Sequence, residues 1–515
     1  MVKQGELALP SIPMSSAPIP LLIRAETSAY TETSTHADVM AFVQGLAALG
    51  DKRLHIGDFG TSPEGRLLPL LVLSAHGHHT PEAAQASGLP VVLIICGIHA
   101  GEVEGKEGVL MLVRNLLRGD HGPELLARCT LVVVPLFNPD GNDRLSADHR
   151  PLDIAHLRGQ DGPALVGTRT NAAGVNLNRD YMRQQAPEMR LLQQRVCQPW
   201  NPHLTLDCHA TNGSIHRFAL TYDIPHTEHT GRSEPVAYMR GRMMPAVQAA
   251  VKRTEGLDTF WYGNFVRDEG GQGQGWITYT HHPRFGCNYR GLTNRLDVLL
   301  EAYSYISFEE RVEVTYAVLR EALVYVAANG PEIVQLLADC AEPPEQVAIR
   351  YALEAVPNTT VEVLTREPYT LAGNPISVQV PHYAHFVPTA TVQRPWAYAM
   401  PQAVADWLAG HGLQTTPVAA GTLLDVEVPV MQHPVAEPGP AILEAQASTH
   451  WTATHQRTQR ALPEGWCVVA TSQRYGAIAV VACEAESDDG VVANGIVAEP
   501  VAGEEFAVWR VLKAV

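Results

Sequence analysis

Two uninterrupted apolar runs, LLPLLVLS (67–74) and LPVVLIIC (89–96), constrain this chain more than any other feature. A strand with one wet face alternates apolar and polar residues. These runs offer no polar face and are bounded by turn residues, as in strands buried on both sides. Such strands need cover above and below. Apolar residues at helical spacing follow at once in VEGKEGVLMLVRNLLRG (103–119), which ends at Gly119 as a C-cap. TLVVVPLFNPDG (130–141) begins as a third strand, and a long polar loop then runs to about residue 180. HLTLDCH (203–209) and LDVLLEAYSY (296–305) read as further strands, with a helix at about 233–253 between them. FEERVEVTYAVLREALVYVAANG (308–330) reads as a long amphipathic helix closed by glycine. The pattern predicts an α/β domain with a mixed, mostly parallel sheet flanked by helices.

At 515 residues the chain is too long for one ordinary domain. Residues 1–30 read as an extended, proline-rich lead-in and 31–330 as the α/β domain. After Gly330 the texture changes. AEPPEQ (341–346) is followed by TTVEVLTREPYTL (359–371), ISVQVPHY (376–383), LLDVEVPVMQ (423–432), CVVATSQ (467–473) and AIAVVACEA (477–485). Short alternating runs split by Pro and Gly predict a β-rich second domain over 331–515, with one helix near AVADWLAGHG (403–412).

The formal charge of -17, from 37 basic and 54 acidic residues, repels phosphate backbones and argues against a nucleic-acid partner. No apolar stretch reaches the roughly 18 residues of a membrane span. MVKQGELALPSIPMSSAPIP (1–20) lacks the apolar core of a secretory signal. As it stands the chain is expected in the cytoplasm; a periplasmic or secreted location requires a signal already removed. The eight cysteines form no CxxC pair and lie mostly in apolar runs, which predicts buried free thiols.

Chemistry concentrates in GIHAGEVEGKEG (97–108). His99 and Glu102 form an HxxE pair that follows a buried strand and opens a helix. Both side chains therefore leave from the C-terminal edge of the sheet, where open α/β sheets bind ligands. Zinc hydrolases take three protein ligands and keep a fourth position open. HExxH is absent, so a distant third ligand is required. His209, at the end of HLTLDCH, reaches the same edge. Glu104 and Glu107 read as solvated first-turn acids that complement the helix dipole. His76, His78 and His79 in SAHGHHTPE (74–82) are denser, but they sit in a Gly/Pro-flanked loop with no acid at matching spacing. Glu301 is a lone glutamate in an otherwise apolar strand. A buried carboxylate there needs either an ion-pair partner, with Arg295 nearest in sequence, or a proton to move.

TETS (31–34), GTSPEGR (60–66), GIHAGEVEG (97–105), FNPDG (137–141), TRTNAAGVNLNRDY (168–181), DCHATNG (207–213) and NRLDVLLEAYSY (294–305) occur in that order. The series resembles the zinc metallocarboxypeptidases, the family typified by the pancreatic carboxypeptidases, over most of residues 30–330. The resemblance implies one Zn2+ per chain held by His99, Glu102 and His209. It implies that Asn178 and Arg179 grip a terminal carboxylate, that Arg169 steadies the oxyanion, and that Glu301 is the catalytic glutamate. Asp207 or a backbone carbonyl would orient a ligand histidine. Tyr279 and Tyr289 both match the tyrosine that precedes the catalytic glutamate, and residues 260–290 would form the pocket rim and a flap. The implied activity is hydrolysis of the C-terminal peptide bond, with a peptide or small amide bearing a free carboxylate as partner. The alternative is an amidase or deacylase of small N-acyl amino acids or cell-wall peptides. A binding module that has lost catalysis fits less well, because Arg169 and Glu301 accompany the ligand set. The β-rich tail resembles those of some bacterial members, and neither its role nor the oligomeric state follows.

Overall fold

The computed structural model describes residues 21–121, 124–267, 273–437 and 448–513. Ten strands precede residue 304: β1 Leu54–Thr61, β2 Leu67–Leu73, β3 Val91–Cys96, β4 Thr130–Val134, β5 Leu204–Thr211, β6 Leu220–Asp223, β7 Thr259–Trp261, β8 Asn264–Arg267, β9 Gly273–Ile277 and β10 Leu296–Tyr303. Eight of them make a mixed sheet in the order β1-β2-β4-β3-β5-β10-β6-β7. Its centre is parallel: β3 lies between β4 and β5, and β5 pairs with β10. The outer pairs β1–β2, β2–β4 and β10–β6 are antiparallel. Every residue of β3 is buried, as a run without a polar face requires, and so is every residue of β5, including its alternating Thr205, Asp207, His209 and Thr211.

One layer of cover comes from the Glu104–Arg118 and Phe308–Asp339 helices, whose apolar faces share a core with β3, β5 and β10. Gly105 permits the close approach of the first helix to the sheet, since a Cβ there would lie 2.5 Å from that of Cys208. This helix ends as expected at Gly119, with φ 84°. The expected helix near 233–253 is continuous over Ser233–Glu255, with one wider turn at Met239–Met243. The long helix begins at a Ser307/Glu310 capping box but does not stop at Gly330. It continues through Pro331 to Asp339 because Ile333 and Leu337 keep its apolar face on the core. The expected boundary at 330/331 therefore falls inside a helix. Gly330 serves a close contact instead of a cap: a Cβ would meet the Pro90 ring at 3.1 Å.

Past the long helix, β11 (Gln346–Glu367) and β12 (Asn374–Gln393) form a long hairpin. β12 adds to β9, giving a four-stranded sheet β11-β12-β9-β8. A six-stranded sheet built around Ala397–Pro401 and Leu423–Met431 completes the β-rich region. The expected helix near 403–412 spans Gln402–Gly410. AIAVVACEA departs from the strand expected there: Gly476–Cys483 is a helix buried on every side. A short apolar run without periodicity fits a buried strand or a buried helix equally well. Tyr181, Met189 and Tyr289 share one core with Tyr398, Leu408 and Ile478, so the β-rich region packs directly on the α/β region.

The lead-in is not wholly extended. Residues 1–20 lie outside the described residues, while Arg24–Thr27 forms a helical turn and Ile23 and Ala25 enter the core. All eight cysteines are unpaired, and seven are buried. Among the described residues no helix is long and apolar enough to cross a membrane.

Candidate active site

Three strand ends meet at one edge of the main sheet. Cys96 closes β3 opposite Cys208, and His209 stands opposite Glu301 in the β5–β10 register. The chain turns after β3, with Glu102 N bonded to His99 O at 2.9 Å, so the HxxE pair folds back over the edge. His99 Nδ1 and His209 Nδ1 lie 3.1 Å and 3.0 Å from Glu102 Oε2, and 3.2 Å from each other. Donors that share one zinc ion tetrahedrally at ~2.0–2.2 Å stand roughly 3.2–3.5 Å apart. Two imidazoles and one carboxylate at these separations fit a single ion, and all three residues are buried. The denser His76, His78 and His79 do not gather with an acid. His76 and His79 instead face the backbone carbonyls of Ala127 and Arg53.

The ring nitrogens turned away from the cluster are also held. His99 Nε2 sits 3.0 Å from Asn176 Oδ1, and His209 Nε2 sits 3.0 Å from Asp207 Oδ1. Asp207 is anchored in turn by Arg290, which also pairs with Asp297 and donates to the Tyr181 hydroxyl. Such partners orient a ligand imidazole and set its basicity. Burial pushes His99 down to about 4. Burial also opposes charge on His209, but Asp207 and Glu102 outweigh it and hold that imidazole well above its usual range. Burial opposes charge on Glu102 too, yet His99 and Arg150 hold its carboxyl well below the usual range.

The other oxygen of Glu102, Oε1, accepts from Arg150 Nη1 and Arg169 Nη1, both at 3.0 Å. Arg169 thus reaches the site, and so does Arg150. Arg150 adopts φ 56°, a strained conformation for a side-chain-bearing residue, and its guanidinium also reaches Gln160 and Ser304. Asn178 Oδ1 accepts from Gly286 N at 2.9 Å, and the Arg179 guanidinium lies 3.5 Å from the centre of the Phe285 ring. These residues line one cleft, with roughly 850 Å³ of open space, together with Glu301, Tyr262 and Tyr279.

Glu301 is half-buried. Burial pushes its carboxyl up to about 8, the Glu102 charge adding to the rise against the pull of His209. The alternative pairing with Arg295 is not made. Arg295 precedes the first residue of β10 while Glu301 lies near the other end, and six residue steps along the strand separate the two by about 20 Å. Glu104 and Glu107 are not solvated. Glu104 pairs with Arg311 at 3.2 Å, and Glu107 accepts from Thr33 Oγ1, Ser34 N and Ser34 Oγ. TETS and the HxxE helix are joined by that second carboxylate.

Of the two candidate tyrosines, Tyr279 lines the cleft. Tyr289 is buried elsewhere, its hydroxyl 2.7 Å from His411 Nδ1. Tyr262 was not foreseen. It follows β7 in the Gly-rich segment, and no spacing rule links it to the ligands. The tip of the expected flap, residues 268–272, lies outside the described residues. The wall between Tyr279 and Phe285 is tied to the β-rich region: His281 Nε2 lies 2.7 Å from Asp488 Oδ2, and Arg284 donates to Asp489 from its backbone N at 2.6 Å and its Nε at 3.0 Å.

Residues 39–210 match the family model described as zinc carboxypeptidase. The matched span contains His99, Glu102, Arg169, Asn178, Arg179 and His209 and ends before Glu301. Over 128 residues the chain is 30% identical to the human carboxypeptidase N catalytic chain, and this match spans 24% of either protein. Similar solved structures include a metallo-carboxypeptidase from Burkholderia cenocepacia, 21% identical over 57% of this chain and 68% of that one, with a TM-score of 0.39. Another is the Pseudomonas aeruginosa metallo-carboxypeptidase in complex with (2-guanidinoethylmercapto)succinic acid, 21% identical over 59% and 68% of the two chains, with a TM-score of 0.40.

Proposed function

We propose that the chain is a zinc metallocarboxypeptidase that removes a C-terminal residue from peptides. The observation that carries this reading is the convergence of His99, Glu102 and His209 beside a cleft that Glu301, Arg169 and Arg179 also line. Zinc held by those three residues would supply Lewis-acid polarisation of a carbonyl and a water of lowered pKa. The chain's own groups do the rest. Arg179 forks onto the terminal carboxylate of the substrate beside the Asn178 amide, through parallel charge-assisted bonds. Glu301 takes a proton from water and passes it to the leaving amine, and its raised pKa suits it to both roles. Arg169 stabilises the negative charge that develops on the scissile carbonyl oxygen. Tyr262 and Tyr279 shape the cleft around the terminal side chain.

Amidating the C-terminus of a peptide substrate is expected to lower kcat/KM by roughly 10- to 150-fold, the loss of about 1.5–3 kcal/mol from charge-assisted bonds to Arg179. Steady-state assays of matched free and amidated peptides provide the check. Equal cleavage of the two would sink the exopeptidase reading. Turnover confined to small N-acyl amino acids would move the assignment to an amidase.

The Arg284–Asp489 tie makes a second measurement informative. Asp489→Asn is expected to raise KM by up to roughly 10-fold, since the Phe285 wall loses a buried charge-assisted anchor. Zinc content should be unaltered and kcat nearly so. An unchanged KM would mean that the β-rich region does not shape the pocket.

A further inference from the structure

A second cleft lies at the opposite edge of the sheet, on the seam between the α/β and β-rich regions. Thr293 and Arg295, just before β10, and Cys197 and Gln198 line one wall, while His411, Arg474 and Tyr475 line the other, around roughly 380 Å³ of open space. Three arginines face this space. Arg290 is neutralised by Asp207 and Asp297. Arg295 and Arg474 are not: among the described residues neither makes an ion pair, and the buried Nε of each has no hydrogen-bond partner. The Arg474 guanidinium lies 4.9 Å from the centre of the Tyr475 ring, and the Tyr475 side chain is also its hydrogen-bond partner.

Two like charges partly withdrawn from water into one cleft, without a counter-charge, carry a cost. Burial and the Arg474 charge push Arg295 down to about 10, and burial lowers Arg474, with no carboxylate opposing either shift. Even so, a guanidinium remains protonated at neutral pH, so deprotonation does not relieve the repulsion. An anion would. Guanidinium forks match the paired oxygens of an oxyanion, whereas the Thr293 hydroxyl and the Gln198 amide in the same cleft already donate to the carbonyls of Arg290 and Gly410.

We propose that this seam is an inorganic oxyanion site, with Arg295 and Arg474 as the clamp and phosphate or sulfate as the ligand. Occupancy would join the two regions across the edge of the sheet remote from the zinc cleft. Binding only to the folded chain, the anion would raise the unfolding temperature by mass action.

The test uses the full chain and inorganic phosphate, titrated against chloride at matched ionic strength. Wild type is expected to show a saturable rise in unfolding midpoint of about 2 °C or more. Arg295→Gln and Arg474→Gln should each abolish it, whereas Arg179→Gln, in the zinc cleft, should keep it. Absence of a saturable response in wild type, or equal responses in all three variants, would overturn the proposal. Loss of the response in Arg179→Gln alone would also overturn it, placing the anion in the other cleft. Should a Gln variant fail to fold, equilibrium dialysis of phosphate against wild type and Arg179→Gln decides: one bound phosphate per chain is expected in both, and none in either refutes the site.

Discussion

Glu301→Gln is expected to lower kcat for a peptide with a free C-terminus by about 10²–10⁴-fold, the usual contribution of a positioned acid–base group. Bound zinc should remain at the wild-type level, because the three ligand atoms do not include Glu301. The substitution keeps the shape of the side chain and removes only its capacity to accept a proton. KM should change little, since the proposed carboxylate clamp of Asn178 and Arg179 is untouched. Metal analysis and steady-state kinetics on the same preparation separate the two effects. Full activity in the variant would refute the proton-transfer role, and loss of zinc would recast Glu301 as part of the metal site.

The second large effect is expected from His209→Ala. His209 Nδ1 is 3.0 Å from Glu102 Oε2, and its far nitrogen faces Asp207. Truncation removes one of three ligands and leaves two buried carboxylates with less compensating charge. Zinc retained after dialysis should fall below about a tenth of the wild-type amount, with activity falling in proportion. The unfolding midpoint should also drop, because breaking a buried ion pair costs about 3–5 kcal/mol. His79→Ala serves as the control and should leave both zinc content and activity intact. Stoichiometric zinc in His209→Ala would place the metal elsewhere.

The candidate site was legible in the sequence where a residue's place follows from a strand. His99 follows β3, His209 lies near the end of β5 and Glu301 near the end of β10, so neighbouring parallel strands carry them to one edge. A lone glutamate in an apolar run or a histidine near a strand's end stands out without coordinates. Arg150, Asn176 and Tyr262 lie on turns or irregular connections, and their approach to the site is set by the packing of those segments. Glu104 and Glu107 misled for a related reason. Helical spacing says which residues share a face, and only the Thr33–Ser34 segment and Arg311 show that this face is covered.

The β-rich region marks the same limit on a larger scale. Alternation in β11 and β12 announced strands, but nothing local announced that β12 would extend β9 or that Asp489 would anchor Arg284. The run AIAVVACEA carries no polar face, so its period could not discriminate helix from strand. By itself the sequence determined the buried strands and the α/β class, since these depend on short-range period, while the candidate metal and proton-transfer residues came with the family resemblance. Only the tertiary structure decided which arginines converge on Glu102, which tyrosine lines the cleft and how the second region supports the pocket wall. Those contacts join residues far apart along the chain, and it is core packing that brings them together.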